Sequence, residues 1–158
     1  MTRAMANAPA VLDGYLQFSA ALANGSLTDK AREQIALAVA VANGCDYCLA
    51  AHSAAGRMAG LTAEQIRDSR LGNAVDPKAE ALIRFARKVV DARGRVRASD
   101  IDDVRAAGFN DAAITEALAS VALGIFTNYF NNAVGTDVDF PPAAKNVDGD
   151  HPHEPRAL

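Results

Sequence analysis

The sequence predicts an all-α fold, and three observations carry that expectation. Apolar residues recur at helical spacing along the chain, and no segment shows the period-two alternation of a half-buried strand. Half the residues are hydrophobic, yet many are alanine and only 6% are aromatic, a mixture suited to closely packed helices. Capping residues and glycine stops punctuate the periodic segments, which together read as a compact oligomeric bundle of about six to seven helices.

The 158 residues fit one domain, placed at 8–142, with a flexible tail at 143–158. Val11, Leu12, Tyr15, Leu16, Ser19 and Leu22 form an apolar-rich stripe closed by Asn24-Gly25, a first helix with Gly25 as its stop. Thr28 caps a second helix. Its stretch EQIALAVAVA is apolar on nearly every face after Gln34, so it is expected deep in the core or in a subunit interface, and Asn43-Gly44 ends it.

A third helix starts at a C-x-x-C and runs toward Met58, with Gly60 beyond it. Thr62 and Gln65 make the capping-box pattern of a short fourth. Asp76-Pro77 opens a fifth that turns Leu82, Phe85, Ala86, Val89 and Val90 inward and closes at Gly94. Ser99 and Asn110 read as caps of two more helices. The first ends at Gly108, and the second runs through ITEALASVALGIFTNYFNNAV to Gly135.

From Pro141 onward proline, aspartate, histidine and glycine dominate, the composition of an extended or disordered tail in which His151 and His153 are solvated. Alternatively, TDVDFPPA lies across a neighbouring subunit with Val138 and Phe140 as anchors. The net charge of −3 and pI near 5.5 argue against a nucleic acid or an anionic membrane as partner. RGRVR, Arg93 to Arg97, reads as a solvated loop. No charged, apolar leader is seen and no apolar run approaches the roughly 18 residues of a membrane span, so a cytoplasmic protein is expected.

The chemistry concentrates in NGCDYCLAAHSAAGR, Asn43 to Arg57, which holds both cysteines and one of three histidines. Two cysteines so close together cannot staple a fold, and in a reducing compartment such a pair is more often catalytic or metal-binding than structural. Gly44 breaks the preceding helix, so free N–H groups of the next one face the thiols and favour thiolate. Cys45, Cys48 and His52 fall at i, i+3 and i+7 on one helical face, where His52 can take or return the Cys48 proton and Cys45 can close a disulfide onto Cys48.

Glu33, a carboxylate in the otherwise apolar second helix, needs a reason to be there. Folding the two helices back at Gly44, with ~1.5 Å of rise per residue, puts Cys48 roughly 6 Å from the turn, His52 roughly 12 Å and Glu33 roughly 16 Å. Glu33 therefore faces the histidine and can orient or recharge it. Inert buried thiols and a zinc site of two Cys, one His and one Glu are the competing readings of the cluster. Asn128, Asn131 and Asn132 interrupt the last helix. Asn128 and Asn132 either line a pocket above the thiols with Tyr47 or bond between helices.

Glutamate followed twelve residues on by CDYCLAAH, together with FTNYFNNAVGTDVDFP near the C-terminus, resembles the AhpD-like alkylhydroperoxidases of the carboxymuconolactone decarboxylase superfamily over roughly Ala8 to Pro142. The resemblance implies a helical fold assembled into trimers or hexamers and thiol-dependent reduction of hydroperoxides by an external dithiol or protein reductant. It assigns Cys48 as the attacking thiol, Cys45 as the resolving thiol, His52 as the proton-transfer residue and Glu33 as the relay carboxylate. No cofactor or metal is implied, and no G-x-G-x-x-G or P-loop is present. Some members carry histidine just before the second cysteine; here Tyr47 stands there, and a phenol exchanges protons poorly at neutral pH. A decarboxylase or lyase acting on a small carboxylated substrate, and a redox- or zinc-responsive module without catalysis, are the alternative functions.

Overall fold

The structure, a computed structural model, describes residues 1–141. The tail expected at 143–158, with His151 and His153, lies outside the described residues. Within them the chain forms eight helices and no strand: α1 (Thr2–Met5), α2 (Pro9–Ala23), α3 (Asp29–Ala42), α4 (Asp46–Met58), α5 (Ala63–Leu71), α6 (Pro77–Asp91), α7 (Ala98–Ala106) and α8 (Asp111–Val134). One helix more than expected is present.

α3 is the axis of the fold and packs against α4, α5, α6 and α8. Thr28 starts it by accepting the Ala31 N–H at 3.2 Å. Its apolar faces serve two cores. Ile35 and Val39 join Leu82, Phe85 and Ala86 of α6 and Ala117 and Val121 of α8, whereas Leu37 and Ala40 join Cys48, Leu49, Leu61 and Ile66. That double duty explains the near-continuous apolar run, each large aliphatic contributing about 1.5–3 kcal/mol on burial. Gly124 of α8 permits a close approach to α3. A Cβ there would lie 3.0 Å from Val39 Cγ1, so no larger residue fits without movement.

Several boundaries follow the expected chemistry. Thr62 and Gln65 make both halves of a capping box, Asp76 caps α6 ahead of Pro77, and Asn110 caps α8. α2 closes at Asn24-Gly25 as expected, the Asn24 side chain bonding the Ala20 carbonyl at 2.9 Å. One cap differs. Arg97, not Ser99, is the N-cap residue of α7, because the Asp100 carboxylate reaches back to the Arg97 N–H at 2.8 Å.

Two larger differences concern apolar surface. The stripe on α2 is only partly covered: none of its residues is fully buried, Leu12, Tyr15, Ser19 and Leu22 are half-buried, and Leu16 is 51% exposed. α8, contrary to the expectation that no run approaches membrane length, is long and apolar enough to cross a bilayer by length and composition. It packs instead against α2, α3, α4, α6 and α7, burying Ala117, Val121, Gly124 and Asn128.

Candidate functional site

α3 and α4 meet at a turn whose geometry is set by Gly44, held at φ 59°, where a side chain is strained. The Cys45 N–H reaches back to the Ala40 carbonyl at 3.0 Å, which leaves Cys45 extended as the N-cap residue of α4. Its sulfur fills the role usually taken by a serine or aspartate oxygen: Cys45 Sγ accepts the Cys48 N–H at 3.2 Å. One helical turn brings the two sulfurs together, and Cys45 and Cys48 form a disulfide with their Cα atoms 5.3 Å apart. Both residues are buried.

One turn beyond Cys48, His52 meets Glu33 across the α3–α4 pair, Nδ1 to Oε2 at 2.8 Å. A carboxylate only accepts, so the imidazole donates from Nδ1 and its Nε2 is left to carry or receive the mobile proton. Tyr15 of α2 adds a phenol to this neighbourhood. Burial pushes its pKa up, an interaction with Ser19 opposes the rise, and the negative charge of Glu33 adds to it. Tyr47 is likewise raised, by burial first and then by Asp139 and Tyr15. Both phenols therefore stay protonated at neutral pH and offer O–H donors.

The three asparagines of α8 divide their work. Asn128 Oδ1 accepts from Asn43 Nδ2 at 2.9 Å, and Asn132 Nδ2 donates to the Asn43 carbonyl at 3.0 Å, so these two tie the α3–α4 turn to α8. Asn131 is the one that reaches the sulfur: its Nδ2 lies 3.3 Å from Cys48 Sγ and 3.3 Å from Met1 Sδ. Thr136 fixes that orientation by donating its hydroxyl to Asn131 Oδ1 at 2.8 Å, which leaves the amide nitrogen facing the Cys48 sulfur.

In the sequence Asn131 shows only as a polar break in the last helix, and its i, i+3 spacing from Asn128 is the signal that puts it on the buried face. Tyr15 shows only as part of an apolar stripe.

Beyond α8 the chain turns back over the start of α4. Phe140 packs edge-on against Tyr47, ring centroids 5.6 Å apart, so within this chain it already has an aromatic partner. A shallow recess of about 210 Å³ lies beside them, lined by Tyr47, Asn131, Asn132, Thr136 and Val138 among others. Of the three expected pocket residues, Tyr47 and Asn132 line this recess; Asn128 does not, being 1% exposed. Among the described residues no group of three or more His, Cys, Asp or Glu side chains is arranged to hold a metal ion.

The fold and sequence are similar to known proteins. A peroxidase-related protein from Ralstonia eutropha JMP134, described as an alkylhydroperoxidase AhpD core, superposes with a TM-score of 0.76 at 27% identity, covering 88% of this chain and 74% of that one. A peroxidase-related protein from Silicibacter sp. TM1040 superposes at 0.77 with 23% identity, over 97% and 79% of the two chains. A cysteine-to-alanine variant of the debrominase Bmp8 bound to 2,3,4-tribromopyrrole shares the fold at 0.76, with 16% identity over 85% of this chain and 74% of that one. No curated protein matches the sequence. The profile of the carboxymuconolactone decarboxylase family matches residues 9–92, which includes the turn, both cysteines, His52 and Glu33, and the chain belongs to that family.

Proposed function

We propose that this protein is a thiol-dependent hydroperoxide reductase of antioxidant defence, able also to act on disulfides, that works in the cytoplasm as a homo-oligomer of a single domain at 8–142. One observation carries the reading: a cysteine pair at a helix N-terminus stands one turn from a histidine bonded to a carboxylate, with Asn131 on Cys48. The peroxidase-related neighbour at 27% identity agrees with it.

In this reading the reduced Cys48 thiolate, supported by the Asn131 amide, attacks the terminal oxygen of a hydroperoxide. An S–O bond forms as the O–O bond breaks, and the departing alkoxide takes a proton from His52, which Glu33 orients. Cys48 becomes a sulfenic acid and the peroxide, having gained two electrons, leaves as an alcohol. The Cys45 thiolate, stabilised by the Cys48 N–H, then attacks Cys48 sulfur; the S–S bond forms and hydroxide leaves with a proton as water. An external dithiol or protein reductant returns two electrons by exchange. Tyr47 and Asn132, which line the shallow recess together with Asn131, contact the substrate, and Asn128 holds the turn from behind.

Oligomerisation has its own support. Leu16 and Phe18 of α2 and Phe126 and Tyr129 of α8 are exposed apolar side chains on two helices that pack together, a surface suited to cover by a second copy of the chain.

The test is turnover of cumene hydroperoxide with dithiothreitol as electron source. Consumption in the wild type and its loss in Cys48→Ser are expected. The family's name favours a second reading, a lyase that does not use the cysteines. Turnover of a carboxylated lactone that survives in Cys48→Ser would select it.

A further inference from the structure

We propose that the cavity between the N-terminal ends of α3, α6 and α8 is a binding site for an organic carboxylate with an apolar body, separate from the cysteine pair. The cavity is about 540 Å³, the size of a small-molecule site, and none of Glu33, Cys45, Cys48 or His52 lines it. Leu27, Leu61, Val75, Leu82 and Phe109 give it apolar walls.

Among the described residues, three of its polar side chains are without a hydrogen-bond or ion-pair partner. Gln34 lines it at only 7% exposure, and its side-chain amide has no hydrogen-bond partner among the described residues. The amide is not sealed in protein but opens onto the cavity, where its hydrogen-bonding capacity is free for an occupant. Lys30 and Lys78 also line the cavity, and among the described residues neither ammonium is paired with a carboxylate. Lys78 Nζ stands 4.8 Å over the Phe109 ring, poised beside the apolar wall.

The two carboxylates present are engaged elsewhere: Asp76 caps α6 through the Lys78 and Ala79 N–H groups, and Asp68 pairs with Arg67 at 3.2 Å.

Charge and shape select the ligand class. Three helix N-termini and two free ammonium groups favour an anion. Thr28, Asp76 and Asn110 already accept first-turn N–H groups, so the bare amide cradle of a phosphate site is missing. What remains is two ammonium groups against the Asp76 carboxylate, a net positive charge, and one amide facing hydrocarbon, a match for a monoanionic carboxylate whose chain or ring lies on the walls.

Calorimetric titration of the full-length protein with octanoate tests this. Saturable binding near one per chain is expected, weakened about tenfold or more in Lys30→Gln/Lys78→Gln and by a similar factor in Gln34→Leu. Cys48→Ser should bind octanoate like the wild type, which keeps the outcome independent of the thiol chemistry. Both lysines are exposed, so the double variant should fold even where Gln34→Leu does not. Equal affinity for neutral octanamide, displacement by inorganic phosphate, unchanged affinity in the double variant, dependence on Cys48, or no saturable binding would each overturn the proposal.

Discussion

Asp100 and Glu33 are both carboxylates near the start of a helix with a basic side chain against them, and their partners differ in kind. Asp100 accepts from Lys88, from the Arg97 N–H at 2.8 Å and from the Arg97 guanidinium at 3.3 Å. Lys88 foremost, then the Arg97 backbone, hold its carboxyl well below the usual carboxylate range. Glu33 meets His52. Lysine and arginine keep their charge throughout the neutral range, whereas an imidazole exchanges a proton within it. A carboxylate held by permanent cations and a backbone donor stabilises structure. One paired with imidazole, one helical turn from Cys48, has the arrangement that the proposed proton transfer needs.

That contrast can be broken from its strong end. His52→Ala should lower kcat/KM for hydroperoxide by about 10²–10⁴-fold, the range of a lost general acid–base group, with little change in melting temperature. Glu33→Gln, which removes the orienting charge and leaves the shape, should cost about 10–100-fold and alter the pH–rate profile as well as the rate. A uniform loss at every pH would assign Glu33 to structure alone.

Asn131→Ala should slow alkylation of the reduced Cys48 by iodoacetamide about 3–10-fold, since one donor to the thiolate is gone.

Asp100 predicts the opposite pattern. Asp100→Asn should leave turnover intact and lower stability in urea. Because the folded carboxyl is depressed, its stabilisation is fully present above the unfolded value near pH ~3.9 and is lost as pH falls through the folded value. The gap between wild type and variant should therefore hold at neutral pH and shrink in strong acid. The smallest expected effect is that of Gly124→Ala. It should cost about 1 kcal/mol by crowding Val39, without altering the reactivity of Cys48.

The parts of this protein legible in its sequence were those specified locally. Thr62 and Gln65, Asp76-Pro77 and Asn110 announce helices through bonds made within a few residues. The pairing of Glu33 with His52 was legible for a related reason: a short turn at Gly44 forces the two helices back together, and axial distance then follows from rise per residue.

What depended on distant chain was not legible. Asn131 lies 83 positions from Cys48, and only the packing of α8 against α4 brings its amide to the sulfur. The four residues of α1 carry no periodicity to read. The apolar stripe of α2 was visible, but a stripe does not say whether its partner is the same chain or another.

The central claim is that Cys48 attacks and Cys45 resolves. Its most direct test is mass spectrometry with dimedone trapping on reduced wild type and Cys45→Ser, before and after one equivalent of cumene hydroperoxide. The account predicts loss of both thiols as a Cys45–Cys48 disulfide in the wild type, and a trapped sulfenic acid at Cys48 in the variant. Retention of all thiols in both proteins would contradict it.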